Sequence, residues 1–531
     1  MMRLKFILLV IALTVNTFAQ AQTASQYAAR GDKELFDGFP QSALFYYKLA
    51  LKTDTNLVEA HFKMGESYRI LRNYKKAADY YSNCASLDDQ KQFPEAIYWQ
   101  GMMLKQLGQY SLAKRSFQKF FETYRRRDDW YKSAKSEVES SDWALEHVSD
   151  PADFEVQNPD TGLNTIHSEM SPLLISENEM YFATMRYDSE KVKKNSPVYI
   201  QMKQAKRDSN GWKEVVLDLP ISDETMHVGN GCFSPDSLRF YYTKCPNPSE
   251  CAIYVIKKQN DQWGVAERLE SPVNENGSAS SQPAIASYDG KEYLFFASDQ
   301  KTGKGGMDLW YVEIKNGNPL TRIRNLGNRV NTTGNEITPW FDASDTTFYF
   351  SSNQSLGFGG FDVYKSKGAP GSYNVIENAG TVVNSPQDDY YFTYSRADSL
   401  GYFASNRMTG LKKTDNETCC NDLYKVQKIK IVEEVPLDTL PIVVIDAPEA
   451  KPDTLVKPKT IEQLQNLLPI SLYFHNDRPN PRTMATTTER DYAQTIVEYL
   501  ALENEYQGAI ALSNYPDSAK TRMTQKTNSF F

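Results

Sequence analysis

Between Gln26 and Asp150 the apolar and small positions recur at helical spacing, and the whole set then repeats. Gly31, Gly65 and Gly101 are each followed 12 residues later by Ala43, Ala77 and Ala113, and 4 residues after that by Tyr47, Tyr81 and Phe117. The period is 34 residues, then 36. A small residue lets two antiparallel helices approach closely and the aromatic fills the gap, so the pattern predicts helical hairpins stacked as a solenoid. Asp129 to His147, with Trp130 and Trp143, predicts a last helix capping the array. After Pro151 the apolar positions alternate instead, which marks strands. Five segments share one layout: Ser171 to Thr184, Gly231 to Thr243, Gln282 to Ser298, Thr338 to Ser352 and Asp389 to Ser405. Their last residues lie 59, 55, 54 and 53 apart. A closing strand recurs as Met307-Asp308-Leu309-Trp310-Tyr311, Phe361-Asp362-Val363-Tyr364 and Asn421-Asp422-Leu423-Tyr424. Units of this size predict propeller blades of about four strands. Five or six blades are expected, the stretch from Phe154 to Ile166 being the undecided one.

The two ends follow other patterns. Arg3 and Lys5 precede an apolar run from Phe6 to Val15 and the small-residue pattern Ala19-Gln20-Ala21, the layout of a signal peptide cleaved near Ala21. That run is shorter than the roughly 20 residues a bilayer span needs, and no later stretch approaches that length. The mature chain is therefore expected to lack a transmembrane segment. Gln22, Thr23 and Ala24 stand where a lipid-anchored protein carries its Cys, so a lipoprotein is not expected. From Ile429 to Lys459, Pro436, Pro441, Pro448, Pro452 and Pro458 stand among acidic residues and Val, which predicts an extended linker. Beyond it Pro469 to Asp477 reads as a strand into a turn, and Tyr492 to Tyr506 as an amphipathic helix.

Three resemblances attach to these residues. The helical repeats, best in Gly65, Tyr68, Ala77, Tyr81 and in Gly101, Leu104, Ala113, Phe117, resemble the tetratricopeptide repeat. Repeat one is weaker, with Glu34 where repeat two has Tyr68. The strand pattern, an aromatic, then small residues, then Gly-Gly-x-Asp-Leu/Val-Tyr, resembles the WD40-like (PD40) repeats of TolB-type periplasmic propellers. The strand and helix after the linker resemble the start of an OmpA-like domain of Bacteroidetes-type envelope proteins. That domain needs further strands and helices, so the segment reads as a fragment or as a degenerate domain, and no peptidoglycan-binding residue is carried over. The order of the three units resembles the peptidoglycan-associated envelope component of the type IX secretion and gliding machinery. It departs from that protein in leaving no room for a small β domain between propeller and OmpA-like unit.

The expected architecture is therefore multidomain. A signal peptide (1–21) precedes an α-helical tetratricopeptide solenoid with its cap (22–150). An all-β propeller (151–428), a Pro-rich linker (429–460) and an incomplete α/β OmpA-like segment (461–531) follow.

Composition narrows the function. Aromatic content of 12%, with 33 Tyr and 26 Phe, suits strands and interfaces, while a net charge of -8 supplies no general attraction for nucleic acid. The 6 Cys of an exported chain invite pairing. Cys245 and Cys251 flank a short polar loop and form a candidate disulfide, whereas the adjacent Cys419 and Cys420 form either a vicinal bridge or two separate thiols. Zinc is disfavoured because neither CxxC pairs nor nearby His supply tetrahedral ligands. Gly303-Lys304-Gly305-Gly306 and Gly357-Phe358-Gly359-Gly360 precede strands rather than helices, so they read as tight turns and not as phosphate cradles. No G-x-S-x-G or H-E-x-x-H occurs. Asp308, Asp362 and Asp422 repeat blade after blade, as turn-capping residues do and a single catalytic pair does not. No catalytic residue, metal or cofactor is expected.

The leading expectation is thus a non-enzymatic periplasmic scaffold, associated with the outer membrane and binding envelope proteins. It reaches peptidoglycan only if the OmpA-like domain is complete. Its candidate partner groove is formed by Phe62, Glu66, Arg69, Tyr98, Met102 and Lys105, on the first helices of repeats two and three. The alternatives are a propeller that binds a small ligand or glycan in its channel, and a hydrolase using the propeller carboxylates.

Overall fold

The structure is a computed structural model that describes residues 23–429, apart from 90, 151, 153, 160–161, 187–197, 248, 355, 396–398 and 409–419. The signal peptide, nearly all of the linker, the OmpA-like segment and Cys419 lie outside the described residues. The helical array and the propeller belong to one compact unit.

Three helical hairpins and a cap make up the array. They are α1 (Ala24–Phe36) with α2 (Pro40–Thr53), α3 (Val58–Ile70) with α4 (Tyr74–Leu87), α5 (Ala96–Gln106) with α6 (Tyr110–Thr123), and α7 (Asp129–His147). Thr23 opens α1 through a capping box with Gln26, and Asn73 and Asp128 cap α4 and α7 by accepting from Lys76 N and Tyr131 N. The recurrent glycines are fixed by sterics. A Cβ on Gly31, Gly65 or Gly101 would lie 2.5, 2.7 or 2.7 Å from the ring of Tyr47, Tyr81 or Phe117. Those three rings are fully buried. The two tyrosines also anchor across the hairpin, Tyr47 Oη donating to Asp32 at 2.7 Å and Tyr81 Oη to Glu66. Cys84 is a buried core residue beside them.

The propeller has five blades, each a sheet of antiparallel strands. The blade stretches that the sequence left undecided resolve as a closure. Phe154–Gln157 pairs antiparallel with Asp422–Lys428, Phe154 opposite Lys428 and Gln157 opposite Lys425. The first strand of the domain thus supplies the outer strand of the last blade, and among the described residues there is no sixth blade. Successive blades are stitched by one repeated bond. The amide of Val228, Ser280, Glu336, Asp389 and Glu169 donates to the carbonyl of Ile200, Cys251, Met307, Phe361 and Asn421 respectively, at 2.7 to 2.9 Å. The last of these joins blade five to blade one, so the ring has no free end.

The Gly-Gly-x-Asp signature follows from that stitch. Residue x carries the accepting carbonyl at Met307 and Phe361, and the glycines before it let the loop reach the neighbouring blade. A Cβ on Gly305 would lie 2.3 Å from Gly334 O, and one on Gly359 2.0 Å from Gln387 O. Asp308 closes the turn from below, accepting from Lys304 N at 2.5 Å, Gly305 N at 3.1 Å and Asn325 Nδ2 at 2.9 Å. In blade four Asp362 accepts from Gly359 N at 3.0 Å.

Cys245 and Cys251 are disulfide-bonded across the hairpin loop of blade two, and Cys420 is also disulfide-bonded. A loop of 6 residues removes little chain entropy when closed, so the Cys245→Ser/Cys251→Ser double variant should lose only about 2 kcal/mol, read as a shift of the urea midpoint at unchanged m.

Candidate interaction surfaces

Helices α1, α3, α5 and α7 form the inner row of the array, and the six residues chosen from the sequence lie along it. Phe62 and Tyr98 are each 8% exposed and Lys105 is 3% exposed, so these three face the packed interior. Phe62 stacks on Phe93 with centroids 4.7 Å apart, and Tyr98 meets Phe117, Phe120 and Trp130. Lys105 is turned onto α7, where its Nζ donates to Glu137 Oε2 at 2.7 Å and Ser140 Oγ at 3.1 Å. Glu66, Arg69 and Met102 remain partly open to solvent. Arg69 pairs with Glu66 at 2.7 Å and lies 4.4 Å over the ring of Trp99, which the sequence reading did not select. Beside the buried Phe62 and Tyr98, the neighbouring Lys63 and Trp99 are partly exposed. Phe36 and Ile70, equivalent last-turn positions of α1 and α3, are 92% and 51% exposed. Together these side chains offer apolar, aromatic and charged contacts along one uncovered row.

The third member of the Phe36 and Ile70 series is Gln106, and the propeller covers it. Gln387 Nε2 donates to Gln106 O at 2.5 Å. This contact belongs to an array–propeller interface that no local pattern announced. Phe358, 2% exposed, enters between Tyr110, Trp143 and Ala144, 5.0 Å from the Trp143 ring. Gly357 exchanges two bonds with Ser140 Oγ, its amide donating at 3.1 Å and its carbonyl accepting at 3.0 Å. Arg72 Nη1 donates to Asn421 Oδ1 at 2.9 Å, and Asn406 Nδ2 donates to Tyr74 Oη at 3.4 Å. Three segments of blades four and five, at Gly357 and Phe358, at Gln387, and at Asn406 and Asn421, thus seat the turns of repeats two and three and the cap α7.

Asp362 lies at the base of that seat. Burial pushes its carboxyl up to about 7, with the charge of Asp389 adding to the shift and Gly359 N–H and Lys105 opposing it. Its Oδ1 is buried without a hydrogen-bond partner. The unfolded carboxyl ionises near 4, so the folded state favours the protonated form. Asp362 therefore contributes stability that is full below pH about 4 and is lost as pH rises to about 7, at up to about 1.4 kcal/mol per unit. Asp362→Asn should remove this dependence, and its melting temperature relative to wild type should climb between pH 5 and 8. A difference that stays flat across that range would refute the assignment.

Along the propeller axis, Ser171, Asn230, Gln282, Thr338 and Tyr391 all have left-handed backbone, with φ between 53° and 58°. Each sits in a bulge of an innermost strand. Gln282 ties the ring together, its Oε1 accepting from Thr338 N at 2.9 Å and its Nε2 donating to Tyr391 Oη at 3.3 Å. The axial cavity they leave is about 40 Å³, room for a few waters. The channel in which the alternative reading places a small ligand or glycan is narrowed to this volume by the protein's own side chains. Among the described residues there is no cluster of His, Cys, Asp and Glu suited to a metal, and no helix is long and apolar enough to cross a membrane.

A family model for the tetratricopeptide repeat matches residues 58–91 and 94–125, so the array consists of repeats of that type. No curated protein matches the sequence. Among solved structures, a tetratricopeptide repeat protein from Parabacteroides merdae shares 21% identity, covering 25% of this chain and 52% of that one, with a TM-score of 0.22. The endo-arabinase from Bacteroides thetaiotaomicron shares 11% identity over 52% of this chain and 99% of that one, with a TM-score of 0.34. The GH43 endo-arabinanase from Bacillus licheniformis shares 14% over 51% and 95%, also at 0.34.

Proposed function

We propose that this chain is an exported, non-catalytic scaffold that holds a peptide segment of an envelope protein along the inner row of its helical array, with the propeller as the rigid seat of that array. The observation that carries this reading is the row Glu66, Arg69, Trp99 and Met102, continued by exposed Phe36 and Ile70. Aromatic, Met and Arg side chains at an uncovered helical groove are the usual anchors of peptide recognition. Export draws support from the N-terminal apolar run and from cysteines that are disulfide-bonded. A binding role rather than catalysis draws support from Asp308 and Asp362, whose oxygens hold loop amides.

The periplasmic, outer-membrane location, the tie to peptidoglycan through the OmpA-like segment and a place in the type IX machinery are the finer parts of the proposal. They rest on the sequence resemblance. The test is affinity capture from envelope extracts with wild type and an Arg69→Ala/Trp99→Ala double variant. A partner retained by wild type should be lost by at least tenfold in the variant, about 1.4 kcal/mol or more. Equal capture by both proteins would rule out the groove.

A further inference from the structure

The clefts between blades differ in chemistry, and one of them is built unlike the rest. Between blades four and five lies a cleft of about 520 Å³ whose charged lining is Lys365, Lys367, Lys428, Asp345 and Glu377. Between blades two and three a cleft of about 610 Å³ is lined by Glu267 to Pro272 and Asn318 to Thr321, without an aromatic ring. The cleft between blades one and two, about 440 Å³, is lined by Trp263, Trp340, Phe233 and Tyr181 over a floor that includes Leu173 and Cys232. That volume falls in the range of small-ligand pockets, roughly 300 to 1,000 Å³, and the mostly apolar lining with a few polar groups is their usual make-up.

Trp340 reaches this pocket from the far side of the ring. It follows the bulge of blade four at the place held in the other blades by Leu173, Cys232, Ala284 and Thr393. The four others are smaller, so the indole alone spans the axis. It packs against the apolar clusters of both blades one and two and blades four and five, and it lines both the axial cavity and the pocket. Its Nε1 is buried and donates to nothing. The indole therefore meets the pocket with its ring, which stands with Trp263, Phe233 and Tyr181 as an aromatic wall.

The rim sets which ligand fits. Glu179 and Asp218 face one ammonium, Lys258. Glu179 already accepts from Gln204 Nε2 at 2.7 Å and sits 3.5 Å from Lys206, and Asp218 Oδ1 accepts from Tyr181 Oη at 2.6 Å. This leaves Asp218 Oδ2 as an acceptor and offers no surplus cation to a phosphate or carboxylate. A purely apolar side chain would cover the rim carboxylate of Asp218 without offering it a donor. A ring with C–H faces and hydroxyl edges meets both elements, stacking on the aromatic walls and donating to Asp218. We infer that the cleft between blades one and two is a binding site for a neutral saccharide ring, beside the scaffold role and independent of it.

The full-length protein is titrated with cellotetraose and with chitotetraose, followed by intrinsic tryptophan fluorescence and by calorimetry. At least one of them should bind saturably at millimolar concentration or below. Trp263→Ala should weaken binding at least tenfold. Asp218→Ala, which removes the rim acceptor, should weaken it about threefold to tenfold while the melting temperature stays within a few degrees. Glu377→Gln in the cleft of blades four and five should change nothing. The inference is overturned if neither tetrasaccharide binds, or if binding survives both Trp263→Ala and Asp218→Ala unchanged.

Discussion

Phe358→Ala should release the helical array from the propeller while both keep their folds. The ring is 2% exposed and enters between Tyr110, Trp143 and Ala144, so truncation removes its burial and leaves a cavity that the rigid helices α6 and α7 cannot close. Losses of this kind run to about 3–5 kcal/mol. Much of the remaining interface is polar: Ser140 with Gly357, Gln387 with Gln106, and Arg72 with Asn421. Such bonds contribute about 1 kcal/mol each when they replace bonds to water, too little to hold the seat once the apolar plug is gone. The expected readout is a larger radius of gyration by small-angle scattering and new protease cleavage between His147 and Phe154, with unchanged far-ultraviolet circular dichroism. A variant with wild-type scattering and wild-type protection would show that the plug is not what holds the two parts together.

Lys105→Met should be the most destabilising single change on the inner row. The side chains of Lys105 and Glu137 are 3% and 7% exposed, 2.7 Å apart, and share Ser140. Removing the ammonium leaves the Glu137 carboxylate buried without its counter-charge and removes the positive field that opposes the rise of Asp362. Breaking one partner of a buried pair costs about 3–5 kcal/mol, whereas replacing both by apolar residues of similar size is often near neutral. Lys105→Met/Glu137→Leu should therefore recover most of the loss. Urea unfolding of the two single variants and the double variant measures the coupling directly, and strictly additive losses would contradict it.

Much of the architecture was legible because it repeats. Gly31, Gly65 and Gly101 with their partner rings announced the hairpins, and Asp308 in its Gly-Gly-x-Asp frame announced a structural turn, since a steric or capping need recurs wherever the unit does. Single events left no such trace. The capping tryptophan Trp143 packs on Phe358 across a fold boundary, and neither side looks unusual in its own segment. Lys105 read as a groove residue because its partner Glu137 lies on another helix, beyond the reach of any i, i+4 rule. Trp99 was missed because the inward turn of its neighbour Tyr98 shows only in the packing of that ring on Phe117, Phe120 and Trp130. The closing strand Phe154–Gln157 was unreadable for a different reason: at 4 residues it is too short to show alternation, and its partner is Asp422–Lys428.

That closing strand also decides how the molecule responds to tension. The array leads into it at Phe154 and the chain continues from Lys428, the residue paired with Phe154. Both segments thus leave the seam at the same end, so a pull applied between them would peel the ladder open one bond at a time instead of shearing all of its bonds together. The seat around Phe358 stands in parallel with that seam and takes up the pull first. Under tension between the helical array and the chain beyond Lys428, the ring would stay closed for as long as the seat holds.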